Sequence, residues 1–217
     1  MPNHQSKIEK LVAELCPKGV QYKELGEIAN ILNGYSFKSG KYSKDGIRVI
    51  RISDVQKGKI SDDSLKFYPS QTEDEIKNYL LRENDLVMSL TGNVGRVAMM
   101  SRKDLPAWLN QRVACIRVKN GDILTRFLFH FFDQDSFEKN AMNVATGGGQ
   151  KNMSTTWLSH YKIPLPPLDI QAEIVKILNS FTELEAELEA ELEARKIQYE
   201  HYRGELLAVD RNAKEMT

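Results

Sequence analysis

Apolar residues recur at alternating steps of three and four along the last quarter of the chain. From Asp169 to about Val209 the sequence contains no proline. Such steps place one stripe of side chains on a single face of a helix, which is the pattern of a coiled coil. The stripe consists of Ile170, Ile174, Ile177, Phe181, Leu184, Leu188, Leu192, Arg195, Tyr199, Tyr202 and Leu206. The spacing predicts a helix roughly 58 Å long, whose apolar stripe must be covered by another helix.

The middle of this predicted helix is strongly acidic. The tetrapeptide Glu-Leu-Glu-Ala occurs three times in tandem between Glu183 and Ala194. The doubled four-residue step Leu184–Leu188–Leu192 is a stutter, which locally unwinds a left-handed supercoil. A solvated single helix held by charge pairs is the alternative. It is disfavoured because few lysines or arginines follow the glutamates at the spacing that forms such pairs.

The first 168 residues mix the periodicities of helices and strands. Ser6 and Glu9 have the spacing of a capping box before a short helix, and Ser154 is a candidate cap for a turn through Leu158. Further helices are predicted at Thr72–Leu80 and Ile123–Phe132, and strands at Ile47–Val55, Asp85–Leu90, Val97–Met100 and Arg112–Lys119. The proline-rich segment Ile163–Leu168 predicts a stiff, extended hinge into the long helix.

Charge is unevenly distributed along a chain whose formal net charge is zero. Residues 1–168 carry 24 Lys+Arg and 18 Asp+Glu, a balance of +6, whereas residues 169–217 carry 6 and 12, a balance of −6. This division favours a polyanionic partner for the first part and a protein partner for the second. The sequence has no long apolar run, no signal-peptide pattern and only two isolated cysteines, so we expect a cytoplasmic protein with reduced thiols.

Few motifs that indicate catalysis occur in the sequence. The phosphate-binding loop, the Pro-Pro-aromatic motif of amino-methylating DNA methyltransferases and clustered histidines are all missing. One ambiguous pattern remains, in which Asp63 is followed by Glu75 and Lys77 at the loose spacing of many metal-dependent nucleases. Glu75 and Lys77 are equally explained as surface residues of a helix.

Four predicted loops combine amides or hydroxyls with a cation. Amide and guanidinium groups pair with purine edges, while lysines and backbone N–H groups hold phosphates. The candidate DNA-binding residues are Tyr35, Ser36, Lys38, Thr91, Asn93, Arg96, Asn110, Gln111, Arg112, Gln150, Lys151 and Asn152. Composition alone favours ordinary surface loops over DNA contacts at these positions.

Several segments resemble the DNA specificity subunits of type I restriction–modification systems. The most specific are Ile163-Pro-Leu-Pro-Pro-Leu-Asp-Ile-Gln171 and Glu191-Leu-Glu-Ala-Arg-Lys-Ile-Gln-Tyr-Glu-His-Tyr-Arg203. The segments Thr91–Arg96, Leu109–Arg112 and Gly147–Asn152 are similar to parts of the family's target-recognition domain. The departure is length, because members usually hold two recognition domains and two helices, whereas this chain holds one of each.

The resemblance implies a mixed α/β target-recognition domain over residues 1–168. It implies that the helix over residues 169–209 sets spacing, forms a homodimer and docks methyltransferase subunits, with or without a restriction subunit; residues 210–217 have no assigned role. The chain itself would be non-catalytic and hold no cofactor or metal, since S-adenosylmethionine, Mg²⁺ and ATP would belong to its partners. The expected target is an interrupted palindrome in double-stranded DNA. The alternatives are a self-contained nuclease and a coiled-coil adaptor that does not bind DNA.

Overall fold

The computed structural model describes residues 6–69, 76–119, 121–147 and 151–212, with side chains through residue 208. Contacts divide the chain into two units, residues 1–175 and 176–217. The first unit mixes helices with β-sheets, and the described part of the second is helical. The predicted mixed α/β fold followed by a long helix is therefore confirmed.

Two of the helices begin at the serine caps that the sequence predicts. Ser6 accepts the N–H of Glu9 while the Glu9 carboxylate accepts the N–H of Ser6, and Ser154 Oγ accepts the N–H of Trp157. These side chains satisfy N–H groups that a helix leaves without partners. The helices are α1 (Lys7–Leu15), α2 (Leu25–Ile28), α3 (Thr125–Phe132), α4 (Asp135–Val144), α5 (Thr155–Ser159) and α6 (Leu168–Asn212).

Strands in the described part of the chain form three small sheets. They are β1 (Gln21–Glu24), β2 (Ala29–Asn33), β3 (Ile47–Ile50), β4 (Phe67–Tyr68), β5 (Leu86–Ser89), β6 (Val97–Met99), β7 (Ala107–Leu109), β8 (Val113–Val118) and β9 (Lys162–Leu165). The sheet orders are β1-β9, β2-β8-β5-β6 and β4-β3-β7. All pairs are antiparallel except β3 with β7.

The central sheet, β2-β8-β5-β6, is covered on both faces. Leu86 and Met88 of β5 belong to a core cluster with α3 and α4, whereas Val87 between them belongs to a second cluster. Strand β8 alternates in the same way, with Ile116 on the first side and Cys115 on the second. Because successive side chains of a strand point to opposite faces, burial on both sides requires a continuous apolar run. Burial also raises the pKa of the Cys115 thiol, which keeps it protonated.

Aromatic residues build a third cluster beneath the loop that follows β2. Phe37 packs edge-on against Tyr68, with ring centroids 4.9 Å apart, and stacks on Trp108. Phe37, Tyr68 and Trp108 are all buried. The loop containing Tyr35–Tyr42 is thus anchored by large side chains from β4 and β7, which reduces its freedom to move.

The predicted strand Ile47–Val55 is wrong in its second half. The strand ends at Ile50, and the next residues form a turn. The buried Asp54 carboxylate accepts both the main-chain N–H of Arg51, at 2.9 Å, and the Arg51 guanidinium. This local side-chain bonding competes with the sheet ladder and turns the chain.

Other predictions differ from the structure in smaller ways. The predicted extended hinge Ile163–Leu168 is a paired strand through Leu165 rather than a free hinge, and its last residue, Leu168, already begins α6. The first part of the predicted helix Thr72–Leu80, residues 72–75, lies outside the described residues, and its described part contains a 3-10 turn at Lys77–Tyr79. Helix α4 and strand β7 were not predicted, because β7 has only three residues and α4 buries only Phe137 and Ala141.

The first turn of α6 is fixed to the domain by a buried glutamine. Gln171 is fully buried; its Nε2 donates to the carbonyls of Asp122 and Pro166, at 2.9 and 2.8 Å. Its Oε1 accepts the N–H of Leu124 at 2.8 Å. Ile170 is buried beside it. The predicted long helix is confirmed, and one side chain satisfies three main-chain groups at its start.

The helix of the second unit has no described side-chain cover. From Phe181 onward, the apolar residues of the stripe are exposed, from 51% at Leu184 to 73% at Leu206. The whole of α6 contains 45 residues, which corresponds to about 67 Å at the usual rise per residue. No described helix is long and apolar enough to cross a membrane. The stripe of the second unit is therefore an apolar surface without an intramolecular partner among the described side chains.

We predict that Gln171→Ala lowers the free energy of unfolding by roughly 2–3 kcal/mol, because it leaves buried main-chain groups without partners. The matched control is Gln198→Ala, which removes the same side chain from an exposed position of α6. Urea denaturation of both variants measures the difference. Equal losses in the two variants would contradict the assigned role of Gln171.

Candidate nucleic-acid interface

The turn between β7 and β8 is held by neighbouring strands and loops. The Asn110 N–H donates to the Ile50 carbonyl at 3.1 Å, and the Gln111 N–H donates to the Tyr35 carbonyl at 2.9 Å. Asn110 Oδ1 accepts the Arg112 N–H at 3.1 Å. Every N–H of the turn is thus used within the protein, and the exposed side chains of Gln111 and Arg112 project from a fixed backbone.

A glycine allows the loop after β2 to approach this turn. A Cβ added to Gly34 would lie 2.2 Å from the carbonyl carbon and oxygen of Asn110. Any side chain at this position would therefore require a main-chain shift. The close approach brings Tyr35 into a bridge with Asn110, so two of the predicted loops meet.

A third predicted loop adjoins the same turn. The Leu90 N–H donates to the Arg112 carbonyl at 3.0 Å, and the next residue, Thr91, donates its hydroxyl to Asn152 Oδ1 at 2.7 Å. The Gly92 N–H donates to the Lys151 carbonyl at 3.1 Å. The loops at 35–38, 91–93, 110–112 and 151–152 are therefore connected by hydrogen bonds, and we call them the recognition surface.

Several candidates on this surface are solvent-facing. The structure leaves Ser36, Lys38, Asn93, Lys151 and Asn152 exposed. Thr91 is buried and acts as a link to Asn152, while Tyr35 is partly buried against Phe37 and Tyr79. Gln150 lies outside the described residues.

Arg96 differs from the other predicted cations. Its Nη1 donates to Gln56 Oε1 at 3.0 Å, and its Nε lies 3.6 Å from Glu138 Oε1. Asp133 is close to Glu138, and burial raises the pKa of Asp133 to about 6 despite the opposing charges of Lys57 and Arg126. The Glu138 carboxylate therefore partly neutralises Arg96, which is less favourable for a DNA phosphate than an unpaired cation.

An open pocket of about 380 Å³ lies beside the turn Asn110–Arg112. Its lining includes Tyr42 and Arg51, which the sequence analysis did not select. Burial raises the pKa of Tyr42, while the charge of Arg51 and a hydrogen bond with the Asn110 side chain oppose the shift. Arg51 is held by Asp54 and Ser64. In the sequence, the only indication of this pocket was the position of Tyr42 at the end of an aromatic loop.

The residues of the alternative nuclease site do not form a described cluster. The Asp63 carboxylate is exposed and accepts a hydrogen bond from the Ser61 hydroxyl at 2.8 Å. Lys77 is exposed on a 3-10 turn, and Glu75 lies outside the described residues. Among the residues that the structure describes, no group of three or more His, Cys, Asp or Glu could hold a metal ion.

A family model described as the type I restriction modification DNA specificity domain matches residues 17–194. This range is well over half of the chain and includes both the recognition surface and the start of the long helix. The chain belongs to the type I restriction–modification DNA specificity family.

Relatives in this specificity family are similar over most of the chain. The specificity subunit of the type I restriction enzyme EcoAI from Escherichia coli is 33% identical over 172 residues, which are 77% of this chain and 28% of the relative. The MjaVIII specificity subunit from Methanocaldococcus jannaschii is 28% identical over 185 residues, 83% of this chain and 43% of the relative. The match thus spans less than half the length of each relative.

Solved structures of specificity-family proteins share the fold. The HsdS subunit from Thermoanaerobacter tengcongensis superposes with a TM-score of 0.59 and 21% identity, over 82% of this chain and 43% of that chain. The specificity subunit from M. genitalium gives 0.55 and 14% identity, over 76% and 40%. At these identities the likeness establishes the fold alone.

We predict that Gly34→Ala destabilises this specificity-family chain by about 1–3 kcal/mol, because the new methyl group collides with the Asn110 carbonyl. Gly40→Ala is the matched control, since no atom lies within 4 Å of a Cβ at that position. Thermal unfolding of the two variants tests the contact. A Gly34→Ala protein as stable as the control would show that the two loops do not touch closely.

Proposed function

We propose that this chain is a non-catalytic DNA specificity subunit that directs partner methyltransferase subunits to a target sequence. Residues 1–168 would read one half-site of double-stranded DNA as the target-recognition domain. Residues 169–209 would set the spacing and dock the partners, with or without a restriction subunit. The observation that carries the proposal is the convergence of four predicted polar loops on one surface in a chain of the specificity family.

The chemistry of the recognition surface suits DNA. Amide and guanidinium side chains of Gln111 and Arg112 match the donor and acceptor patterns of base edges. Exposed Lys38 and Lys151 can neutralise phosphates on either side. The balance of +6 over residues 1–168 supports a polyanionic partner. The twelve candidate residues remain a prediction, with Arg96 the least accessible of the cations because of its internal partners.

Binding by the assembled complex tests this function and its alternatives together. The chain, purified with its modification subunit, is titrated against a library of duplexes. Preferential binding to one motif supports the specificity function. Absence of any DNA binding would favour a coiled-coil adaptor, and Mg²⁺-dependent cleavage by the isolated chain would favour a nuclease.

We predict that Lys151→Ala weakens DNA binding almost uniformly across sequences and lowers the salt slope of the binding constant by about one, as loss of one phosphate contact requires. Lys162→Ala removes an exposed lysine from β9, away from the recognition surface, and is the control. Titrations at several salt concentrations measure the slope. Identical slopes for wild type and both variants would exclude a phosphate contact at Lys151.

The exposed apolar stripe supports self-association of α6 with a second copy. Six glutamates occupy residues 183–193, whereas Arg195, Lys196 and Arg203 follow them. Parallel pairing in register would place the glutamates of two helices side by side, which is unfavourable. Antiparallel pairing places the acidic segment of one copy beside the basic segment of the other and satisfies a two-fold axis. The proposed assembly is therefore an antiparallel homodimer.

A two-fold assembly of this kind would read an interrupted palindrome. Each recognition domain precedes its helix, so antiparallel pairing separates the two domains by a distance related to helix length. A helix of about 67 Å exceeds one DNA turn, which is about 34–36 Å. Unread base pairs would therefore lie between the two half-sites.

We predict that Leu188→Glu abolishes self-association or partner docking while residues 1–168 stay folded, because it places a charge in the apolar stripe. Ala190→Glu adds the same charge on the opposite face of the helix and is the control. Light scattering, on the chain alone and with its modification subunit, gives the mass of each assembly. An unchanged mass for Leu188→Glu in both samples would exclude the stripe as an interface.

A further inference from the structure

The turn Asn110–Arg112 of the recognition surface combines a fixed backbone with the exposed side chains of Gln111 and Arg112. We propose that this turn is the main base-readout element, that Arg112 pairs with the edge of a guanine, and that Tyr42 is a positioning residue for it. The proposal rests on the proposed function, because it assigns a base and an order of importance to residues of the same surface.

The backbone of the turn is fixed before any DNA binds. Its three N–H groups donate to Ile50, Tyr35 and the Asn110 side chain, and the Arg112 carbonyl accepts from Leu90. Contacts therefore come from β3, from the loop after β2 and from the end of β5. A side chain on so constrained a backbone loses little further freedom on binding, which is what selective readout of one base requires.

The guanidinium group of Arg112 is available for an external partner. Within the described part of the chain it has no hydrogen bond or ion pair to another side chain, and the residue is exposed. By contrast, Arg51 and Arg117 are each bound to a buried carboxylate. An unpaired, planar guanidinium matches the two acceptors O6 and N7 of guanine in the major groove.

Tyr42 supports the turn from the side of the open pocket. Tyr42 lines the same pocket as Asn110, and Asn110 Oδ1 accepts the N–H of Arg112. Tyr42 therefore lies beside the residue whose side chain holds the arginine that would meet the base. The open pocket of about 380 Å³ provides space beside the turn, with Tyr42 and Phe37 in its lining.

Arg96 provides the internal comparison for this assignment. Arg96 and Arg112 are both loop arginines from the candidate set, but Arg96 is bound to Gln56 and lies beside Glu138. Removing the Arg96 side chain would break these internal contacts, whereas removal of the Arg112 side chain breaks no described side-chain hydrogen bond or ion pair. Arg112 is therefore the position at which a change in base preference can be separated from a change in stability.

Motif selection from a randomised duplex library tests the assignment. The complex of the full chain with its modification subunit is compared for wild type, Arg112→Ala, Arg112→Lys and the control Arg102→Ala, which removes an exposed arginine before β7. We expect a G·C pair at one position of the wild-type half-site. Arg112→Ala should reduce discrimination there by roughly 5- to 160-fold, while Arg102→Ala leaves the motif unchanged.

Arg112→Lys separates base readout from phosphate binding. A phosphate contact tolerates lysine, because the charge is retained, whereas a bidentate guanine contact is weakened. We therefore expect Arg112→Lys to keep most of the affinity and to relax the same position. Wild-type discrimination in Arg112→Lys together with uniform weakening in Arg112→Ala would overturn the guanine assignment.

Tyr42→Phe tests the positioning role, with Tyr22→Phe on exposed β1 as its control. We expect Tyr42→Phe to relax the position that Arg112 reads, by a smaller factor, at an unchanged melting temperature. A lowered melting temperature with an unchanged motif would show that Tyr42 is only a structural residue and would overturn its positioning role.

If Arg112→Ala keeps the full wild-type motif, the assignment of Arg112 to base readout fails. If the wild type itself selects no motif, the proposed function fails instead.

Discussion

Burial of the central sheet on both faces is the constraint from which the rest of the domain follows. Strands β5 and β8 send alternate side chains into two different cores, so neither strand has a face left for a ligand. Polar side chains that meet a partner must therefore come from the ends of these strands. Thr91 lies two residues after the end of β5, and Arg112 directly precedes β8. The two ends are joined by the hydrogen bond from Leu90 to Arg112.

The two units differ in the burial of their apolar side chains. The first unit buries its large aromatic and aliphatic side chains internally, including Trp108 and Phe132. In the second unit Leu184, Leu188 and Leu192 remain more than half exposed. Burial of such a stripe by another helix is a favourable contribution to assembly. This contrast fits the division of labour that we propose, with DNA readout in one unit and assembly through the other.

Sequence patterns predicted the elements whose signals are local. The run Leu86–Ser89, the capping box at Ser6 and the start of α6 near Asp169 all depend on neighbouring residues, and all three are confirmed. The end of β3 at Ile50 was missed because the Asp54 side chain outcompetes the strand there.

The candidate site could be predicted only as separate loops. The residue types of four loops indicated DNA contacts, but their mutual positions depend on tertiary contacts. Thr91 and Asn152 are 61 residues apart, and Gly34 meets Asn110 through the absence of a side chain. The internal pairing of Arg96 with Glu138 has the same origin, since no local pattern links a turn residue to helix α4. Charge and residue type therefore indicated which loops form the surface. Only the fold shows which of their side chains are exposed and which are paired within the protein.

Sequencing of DNA methylation in cells with and without this chain tests the proposed specificity function. We expect one interrupted palindromic motif, methylated on both strands, that disappears when the chain is removed and returns when it is restored. An unchanged methylation pattern would contradict the specificity function. A dependent motif that is asymmetric or uninterrupted, in cells where this is the only specificity chain, would contradict the antiparallel homodimer.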